Sequence, residues 1–580
     1  MDVSGYMDFF TAPRVVFRAL PERAARVRFM VPTADGSGWR AITWQAFADE
    51  IREIGLFLSD CGLLRGERGA ILGHNSVPWL SAALGIQAAG GVMVPIYPTN
   101  TPELIGYVVE HSDAKILFVG SSDVLEKVFE AWEKLQGLER IVALDDRLDA
   151  ARVLQKMRDA KKPAPSFADV EPKFVTWSRA RAIGRAAHAE DPERFERTMD
   201  AVPLAQPGVM LYTSGTTGLP KGVPLTHEMV GANGRDWLQC NASLLEEGYV
   251  DVLWLPLSHI FGFGEACLGN TLGWVTYWAT PVDLLQKLPE VRPHIFMSVP
   301  RFFEKIATAA MAEETRAAQR AKLEEVTGGN FKFCLSGGAG LKQEIKEFLY
   351  DHGLLVLEGY GLTEASPTLT LNRPDDFRFD SVGKPLASVE LKLAADGEIL
   401  ARGPNIFTGY HKDEEASRGA FTQDGWLKTG DIGQWTEDGF LKIVDRKKEI
   451  LVTAGGKNIP PANIEVRFRD DPLVLHAVAY GDGKPFISAG IWLDADVLGA
   501  HLTARDATQG EARARAIEEL VGGCVARANE GLARYESIRT FVVIEEPLTV
   551  ESGLLTPTLK VKRKQVYERF AREFEALYNG

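Results

Sequence analysis

A run of hydroxyl, glycine and lysine residues at positions 211–222 has the composition of a phosphate-binding loop. The run reads LYTSGTTGLPKG and holds four Ser or Thr residues, three glycines and one lysine. Glycines let backbone N–H groups turn toward a phosphate, hydroxyl groups add donors, and a lysine supplies positive charge. The run therefore predicts a polyphosphate-binding loop. The residues expected to contact the phosphates are Thr213, Ser214, Gly215, Thr216, Thr217, Gly218 and Lys221.

This loop differs from the Walker A loop of P-loop NTPases. No GxxxxGK followed by Ser or Thr occurs, and Lys221 instead follows Pro220 and precedes Gly222. The pattern thus disfavours a P-loop NTPase. Taken alone, the composition is also that of a flexible Gly/Ser/Thr linker.

Three further motifs weigh against the linker interpretation. They are GYGLTEASP at 359–367, GWLKTGD at 425–431 and DRKKEILVTAGGKNIPPANIE at 445–465. With TSGTTGLPKG before them, and in this order, they resemble the motifs of the adenylate-forming superfamily. That superfamily contains acyl-CoA synthetases, peptide-synthetase adenylation domains and firefly-type luciferases. The resemblance covers nearly the whole chain and implies that ATP is a substrate.

The resemblance implies a nucleotide site downstream of the loop. Tyr360 would stack on the adenine, and the turn at 337–339 would form the opposite wall. Thr363 would contact the α-phosphate. Asp431 would accept hydrogen bonds from the ribose hydroxyls, and Arg446 would reach the ribose or a phosphate. The implied nucleotide-binding residues outside the loop are Gly337, Gly338, Ala339, Glu358, Gly359, Tyr360, Gly361, Thr363, Asp431 and Arg446.

A magnesium ion is implied as the cofactor. Glu364 would hold it with Thr213, because a carboxylate oxygen is the ligand that this hard cation prefers. Considered singly, Glu364 could be an ordinary acid at the start of a helix, and Asp431 could be a turn residue beside Gly430. Their motif contexts favour the binding roles.

The segment LTPTLK at 555–560 resembles the loop that holds the family's catalytic lysine. Lys560 would bridge the substrate carboxylate and the ATP phosphate, neutralising charge as the carboxylate attacks and pyrophosphate leaves. With Thr363 and Glu364 it forms the expected catalytic set. The cations at 560–564 could instead be a solvated face, so only the likeness to the motif distinguishes Lys560.

The resemblance also implies a second step, in which the thiol of coenzyme A displaces AMP after the C-terminal domain rotates. Lys448 matches the hinge position of the family. The face presented to CoA would consist of Gly455, Gly456, Lys457 and Asn458, where glycines permit close approach of a thin ligand. Val452 departs from the pattern, because several relatives have a lysine near the thioester site.

The segment LSHIFGFG at 257–264 resembles the family segment that opens the acyl pocket. His259 would be a wall of the site and Phe263 a gate at the mouth of an apolar tunnel. A histidine beside an apolar run is also commonly structural. LVTAGGKN and TPTLKVKR look most like the long-chain and bubblegum-type fatty acyl-CoA synthetases, so we expect a medium- to long-chain fatty acid as the substrate.

Other functions share these motifs. A fatty acyl-AMP ligase would make the adenylate but deliver it to a carrier protein. Such enzymes typically have an insertion after the hinge, and none is evident at 446–465. A luciferase-like oxygenase also fits the motifs, although nothing points to a luciferin. The third alternative is a non-catalytic nucleotide-binding scaffold, which the retained polar residues disfavour. Those residues are Lys221, Glu364, Asp431, Arg446 and Lys560.

The elements around these motifs predict an α/β fold. Apolar strands at 70–73 and 92–97 enclose a helical stretch at 79–89, which is the rhythm of a parallel sheet. Further strands are predicted at 115–119, 140–144, 250–255, 295–299, 331–335 and 354–357. A helix is predicted where Phe47, Ile51, Ile54 and Leu58 form an apolar stripe. The charged segment at 146–200 is expected to be a surface excursion.

After residue 384 the pattern changes to hairpins, with turn pairs at 396–397 and 438–439. A compact α+β unit is expected beyond, with a helix near 461–469, strands near 474–480 and 486–493, and a helix near 510–530. We therefore predict a large N-terminal α/β domain with parallel sheets and a β-rich part at 1–446, followed by a small mobile domain at 447–580.

The overall composition indicates a globular protein. Hydrophobic residues make up 45% of the chain and charged residues 25%, and the net charge of −14 argues against nucleic-acid binding. The five cysteines show no metal-ligand spacing, which indicates a reducing compartment without zinc. The N-terminus does not resemble a signal peptide. We expect a cytoplasmic protein; peripheral membrane contact and homodimer formation remain open.

Overall fold

Residues 1–33, 35–213, 219–455, 457–469, 471–550, 552–556 and 560–578 are described by the computed structural model. The chain divides into two compact units. The first consists of Met1–Lys392, Leu400–Thr429 and Trp435–Lys442, and the second of Leu393–Ile399, Gly430–Gln434 and Ile443–Gly580.

The first unit begins with two helices that flank an antiparallel strand pair, followed by alternating strands and helices. Its elements up to residue 226 are α1 Ala12–Arg23, β1 Val27–Pro32, β2 Trp39–Thr43, α2 Trp44–Asp60, β3 Arg68–Leu72, α3 Val77–Ala88, β4 Val92–Ile96, α4 Pro102–His111, β5 Ala114–Val119, α5 Ser122–Glu130, β6 Arg140–Ala143, α6 Ala150–Asp159, α7 Phe167–Val170, β7 Phe174–Val175, α8 Trp177–Glu190, α9 Arg194–Asp200, β8 Pro207–Thr213 and β9 Lys221–Thr226.

A seven-stranded sheet has the order β7-β6-β5-β3-β4-β8-β9. All neighbouring pairs are parallel except β8 and β9, which form an antiparallel hairpin at one edge. β3 is buried from Gly69 to Leu72, as expected for a parallel strand covered on both faces. The side chain of Thr43 caps α2 by accepting from the Ala46 N–H, and the predicted apolar stripe of α2 is fully buried. The strand–helix prediction is thus confirmed.

The expectation for residues 146–200 is wrong. β7 pairs with β6 at the far edge of this sheet, and α8 packs against α2. The packing is close because Gly184 of α8 lies against the backbone of Glu53, where a Cβ atom would come within 1.7 Å of the carbonyl oxygen. The charges of the segment occupy its outer faces while residues such as Phe195 are buried, so this segment is part of the core.

A nine-stranded sheet has the order β16-β15-β14-β13-β12-β10-β11-β1-β2, and its six central strands from β14 to β1 are parallel. The new elements are α10 His227–Asn241, β10 Val250–Leu253, α11 Ile260–Leu272, β11 Val275–Trp278, α12 Leu284–Val291, β12 Ile295–Ser298, α13 Pro300–Met311, α14 Arg316–Thr327, β13 Phe333–Ser336, α15 Gln343–Asp351, β14 Val356–Gly361, β15 Thr368–Leu371 and β16 Lys384–Pro385.

The hairpin-rich segment that follows is also confirmed. Its elements are β17 Glu390–Leu393, β18 Glu398–Arg402, α16 Glu414–Ala420, β19 Leu427–Trp435 and β20 Leu441–Arg446, and the four strands follow one another in sheet order. Gly397 and Gly439 occupy the predicted turns with φ of 84° and 82°, a conformation that favours glycine.

The remaining elements belong to the second unit and form the predicted α+β arrangement. They are β21 Leu451–Val452, β22 Asn458–Ile459, α17 Pro461–Glu465, β23 Val474–Tyr480, β24 Ile487–Leu493, α18 Ala495–Ala504, α19 Gly510–Asn529, β25 Ile538–Val543, α20 Arg563–Arg569 and α21 Ala571–Ala576. A sheet of order β23-β24-β25 covers a core that includes Ile464, Ile491 and Val521.

Within the described part of the chain, we find no helix with both the length and the apolar character needed to cross a bilayer.

Candidate active site

The predicted phosphate loop connects the two strands of the β8–β9 hairpin. Thr213 ends β8, Lys221 begins β9, and the two residues are paired across the hairpin. Of the predicted loop residues, Ser214, Gly215, Thr216, Thr217 and Gly218 lie outside the described residues. The structure therefore brings Thr213 and Lys221 together at the point where β8 ends, and ligands of α/β sheets bind beyond such carboxyl ends.

A tyrosine that the sequence analysis did not identify links Lys221 to the predicted metal ligand. The Lys221 amino group lies 5.0 Å from the centre of the Tyr410 ring and 3.6 Å from Oδ2 of Asp413. The Tyr410 hydroxyl donates to Oε1 of Glu364 at 2.9 Å. Burial and the nearby Glu364 carboxylate raise the pKa of Tyr410, so its hydroxyl remains a neutral donor.

Glu364 follows β14 on a short 3-10 turn, Thr363–Ala365. Its backbone carbonyl accepts from the Phe407 N–H at 2.9 Å, which fixes the turn to the body of the first unit. Only Oε1 of its carboxylate accepts from Tyr410. Mg²⁺ is commonly bound by one or two carboxylates together with substrate phosphates. The single carboxylate of Glu364 therefore fits the implied ion.

The residues predicted to surround the adenine lie at the ends of neighbouring parallel strands. Tyr360 is half-buried near the end of β14 and pairs with Thr370 of β15. Gly361 packs against the Pro367 backbone, where a Cβ atom would lie 1.8 Å from the carbonyl oxygen. A Cβ atom at Gly359 would lie 3.0 Å from the Thr370 carbonyl oxygen of β15. Gly361 is therefore required for strand packing beside Tyr360.

The turn after β13 contains the opposite predicted wall. The Gly337 N–H donates to the Ser298 carbonyl at 3.0 Å, and Gly338 has φ of 82°. Ala339 is exposed. The ring of Phe261 lies against Gly337, 3.0 Å from where a Cβ atom would be. A larger residue at 337 would displace this ring.

The carboxylate of Glu358 lies beneath this turn. One oxygen accepts from the Leu341 backbone N–H at 2.6 Å, and the other forms a buried ion pair with Lys346 of α15. Burial raises the pKa of the Glu358 carboxyl, and the Lys346 ammonium opposes that shift. The Glu358 side chain thus supports the turn, and the sequence analysis missed Lys346 because it lies 12 residues before Glu358 and outside every motif.

His259 occupies the N-cap of α11. Its Nδ1 accepts from the Phe261 N–H at 3.1 Å, so the neutral ring has its proton on Nε2. Phe263, the predicted gate, is only 2% exposed and belongs to the core, whereas Phe261 is half-buried beside Gly337. Two-residue spacing on a helix turns side chains to different faces, so the aromatic residue adjoining the turn is Phe261.

In the second unit, Asp431 and Arg446 form an ion pair. Nε of Arg446 lies 2.8 Å from Oδ1 of Asp431, which is 5% exposed. Gly430, which precedes Asp431, is held by two hydrogen bonds. Its N–H donates to the Glu398 carboxylate at 3.1 Å, and its carbonyl accepts from the Lys447 N–H at 2.8 Å. The two predicted ribose contacts are therefore neighbours.

Lys560 lies close to this pair. The residue as a whole is exposed, and its ammonium group interacts electrostatically with Arg446, Asp431 and Glu449. Loss of water around the amino group, followed by the Arg446 guanidinium, lowers the pKa of Lys560. Its backbone N–H donates to the Thr556 hydroxyl at 3.0 Å, which closes the turn around it. The structure thus groups Lys560 with Asp431 and Arg446.

An arginine with an 11% exposed side chain fixes the start of the helix that follows Lys560. Arg563 forms ion pairs with both carboxylate oxygens of Glu465, one at 3.0 Å, and lies 3.4 Å from Glu449. Because Glu449 follows the predicted hinge residue Lys448, Arg563 connects the segments around Lys560 and Lys448. The sequence KVKR at 560–563 does not indicate that Arg563 connects these two segments.

Of the residues predicted to face CoA, Gly455 and Lys457 are exposed, and Gly456 lies outside the described residues. The side chain of Asn458 is also outside them. The Lys457 amino group lies 5.6 Å from the Tyr535 ring centre. Lys448 is exposed in a turn after β20. Gly455, Lys457 and Lys448 therefore lie on accessible parts of the second unit.

Each unit thus holds part of the residue set expected of an adenylate-forming enzyme. The family model described as AMP-binding enzyme matches residues 16–411, and that described as AMP-binding enzyme C-terminal domain matches residues 448–580. This chain belongs to the AMP-binding enzyme family, which confirms the expectation from its motifs.

Similar proteins extend over almost the whole chain. The long-chain-fatty-acid–CoA ligase FadD15 of Mycobacterium bovis is 33% identical over 593 residues, or 93% of each chain. The long-chain-fatty-acid–CoA ligase ACSBG2 of Xenopus laevis is 28% identical and covers 94% of this chain and 80% of its own. The adenylation domain of a carboxylate reductase from Mycobacterium chelonae has a TM-score of 0.80 at 20% identity, covering 100% of this chain and 93% of that domain. At that identity the solved structure supports the fold alone.

Proposed function

We propose that this chain is an ATP-dependent, AMP-forming acyl-CoA synthetase that acts on medium- to long-chain fatty acids through an acyl-adenylate. The observation that supports it best is the grouping of Lys560 with Asp431 and Arg446, because it brings a lysine charge near the acid expected to bind the ribose. The two long-chain-fatty-acid–CoA ligases named above support the acid class.

In the first step, a carboxylate oxygen of the fatty acid attacks the α-phosphorus of ATP. A bond forms between that oxygen and phosphorus, the bond to the β-phosphate bridging oxygen breaks, and pyrophosphate leaves. Lys560 would neutralise charge on the attacking carboxylate and the α-phosphate, and Thr363 would donate to an α-phosphate oxygen. Thr213 and Lys221, with the loop between them, would bind the β- and γ-phosphates.

Glu364 would hold Mg²⁺, with Thr213 as a further oxygen ligand, and the ion would neutralise phosphate charge during this step. The Tyr410 hydroxyl orients the Glu364 carboxylate. Its aromatic ring also limits where the Lys221 ammonium can lie. One side chain thus sets the separation of two charges that act on the same triphosphate.

In the second step, the CoA thiolate attacks the acyl carbonyl and AMP leaves. We propose Lys448 as the hinge between the two steps, with Gly455, Gly456, Lys457 and Asn458 facing the pantetheine arm. The domains are proposed to divide at 446–447. Asp431 and Arg446 would remain with the AMP ribose.

His259 is proposed as a wall of the acyl site. Because Nδ1 accepts from the Phe261 N–H, the neutral ring has its proton on Nε2, and that N–H would be the group that faces an acyl or phosphate oxygen. Phe261, which is half-buried beside Gly337, supplies apolar surface near it. Each CH₂ buried in an apolar channel contributes about 0.8 kcal/mol, which would favour long chains.

The test is a panel of fatty acids of increasing length with ATP, Mg²⁺ and CoA, in which pyrophosphate and acyl-CoA are measured separately. Both products are expected, with the highest kcat/KM for the longer chains. Pyrophosphate without acyl-CoA would instead identify a fatty acyl-AMP ligase that uses a carrier protein. The absence of both products with every acid would favour the scaffold.

Lys448→Pro tests the second step separately. Proline fixes φ and restricts rotation at the hinge, so adenylation should persist while thioester formation falls. Equal loss of adenylation and thioester formation would contradict the proposal that the two steps use two conformations. Cytoplasmic location, homodimer formation and peripheral membrane contact remain predictions.

A further inference from the structure

Two side chains of α4 contact both ends of the phosphate-loop hairpin. The Tyr107 hydroxyl donates to the Pro220 carbonyl at 3.1 Å, immediately before Lys221. Nδ1 of His111 lies 2.8 Å from the Tyr212 hydroxyl, immediately before Thr213. Each contact therefore adjoins one of the two described residues proposed to bind the phosphates.

The two contacts act from one face of the helix. Tyr107 and His111 are four residues apart on α4, and their rings stack at 5.1 Å with 27° between planes. The Tyr212 ring meets both of them edge-on, at 6.3 and 5.8 Å. A displacement of one ring would thus disturb the other contact.

α4 is itself fixed to the first unit. Its other face is buried through Ile105, Val108 and Val109. Asp113, just after the helix, accepts from Arg68 and from Lys412, each at 2.7 Å. A helix held at its face and at its C-terminal end is a suitable rigid support for the hairpin.

We propose that Tyr107 and His111 are positioning residues that set the locations of Lys221 and Thr213 for ATP binding. The proposal rests on the function proposed above. Side chains that already occupy their binding positions lose less freedom when a ligand binds. The two contacts hold the residues next to Lys221 and Thr213, so ATP affinity should depend on these contacts while the chemistry should not.

Tyr107→Phe removes one hydroxyl and keeps the stacked ring. KM for ATP should rise roughly threefold to tenfold, the ratio expected from one lost hydrogen bond. KM for the fatty acid and kcat at saturating ATP should stay within about twofold. Tyr350→Phe is the matched control, because this tyrosine is 47% exposed and lies in a surface aromatic cluster, so all of its parameters should be unchanged.

His111 allows a conservative rescue. His111→Leu cannot bond Tyr212 and should raise KM for ATP as Tyr107→Phe does. His111→Gln keeps a hydrogen-bonding group and should restore KM to within about twofold of the native value. An unchanged KM for ATP in Tyr107→Phe and His111→Leu would overturn the proposal. So would equal losses in both His111 variants that accompany lower melting temperatures, because those would indicate a merely structural role.

Calorimetric titration with Mg·ATP separates this proposal from the proposed function. If the native protein shows no turnover but Tyr107→Phe binds Mg·ATP several-fold more weakly, the function fails and the positioning role is supported. If turnover is normal and the affinities are equal, the positioning role is overturned and the function stands.

Discussion

Replacing Lys346 with methionine would leave the Glu358 carboxylate buried without its counter-ion. The two side chains are 4% and 5% exposed, and the carboxylate also accepts from the Leu341 N–H at 2.6 Å. Removing one partner of a buried ion pair costs about 3–5 kcal/mol, because the remaining charge is neither hydrated nor paired. We expect Lys346→Met to lose about this much free energy of unfolding at about pH 8.

The loss should depend on pH. Burial already raises the pKa of Glu358 and the Lys346 ammonium opposes this shift, so removing the ammonium raises that pKa further. Between the ordinary glutamate pKa and the raised value, the folded protein holds a proton that the unfolded chain releases. The stability of the variant therefore falls as pH rises through this window. The loss should be smaller at about pH 6 than at about pH 8.5.

Guanidinium denaturation at both pH values measures this effect. Lys346→Met combined with Glu358→Gln removes both charges and keeps an acceptor for Leu341, so it should lie within about 2 kcal/mol of the native protein. Lys322→Met is the matched control, because the Lys322–Glu325 pair is 30% and 68% exposed, and it should change stability by less than about 0.5 kcal/mol. Losses below about 1 kcal/mol in Lys346→Met at both pH values would refute the reasoning.

Three further predictions follow, two of them with a control variant. The lowered pKa of Lys560 predicts that pyrophosphate release declines as pH rises through a value below that of an ordinary lysine. Lys560→Arg should abolish that alkaline decline in a pH–rate profile, because its guanidinium stays charged. Asp431→Asn should raise KM for ATP roughly tenfold or more, since it weakens a charged hydrogen bond to the ribose, whereas Asp396→Asn on an exposed pair should not. Gly262→Ala should lower the melting temperature because its Cβ atom would lie 2.5 Å from the Pro256 carbonyl oxygen, whereas Gly264→Ala has open space and should gain up to about 1 kcal/mol.

The elements with strong hydrophobic periodicity were predictable from sequence. α2 shows its stripe at intervals of three and four, and β4 is apolar at every position because both of its faces are covered. The segment at 146–200 was not predicted, because its charged residues dominate the composition. The available signal was the run of small residues at Ala180, Gly184 and Ala187, whose helical spacing allows α8 to approach the α2 backbone closely.

In the candidate site, too, some residues could be predicted from the sequence and others could not. Motifs give the residues expected to touch the ligand, because their types reflect ligand chemistry at fixed local spacing. They do not give the partners that hold those residues, which come from distant segments. Tyr410 reaches Glu364, and Lys346 reaches Glu358 from another element. Neither contact has a sequence pattern of its own.

Three supporting contacts use the same device, a side-chain donor that lies outside the ligand-binding motifs. Tyr410, Tyr107 and Arg563 each use a side-chain donor to fix an acceptor next to a residue proposed to handle phosphate or the hinge. A phosphate site must gather positive charge and yet keep each charge at a defined distance before the ligand arrives, because reorganisation during the reaction would reduce electrostatic stabilisation. The two tyrosine hydroxyls meet this requirement without adding charge, and the charge of Arg563 is offset by Glu465 and Glu449.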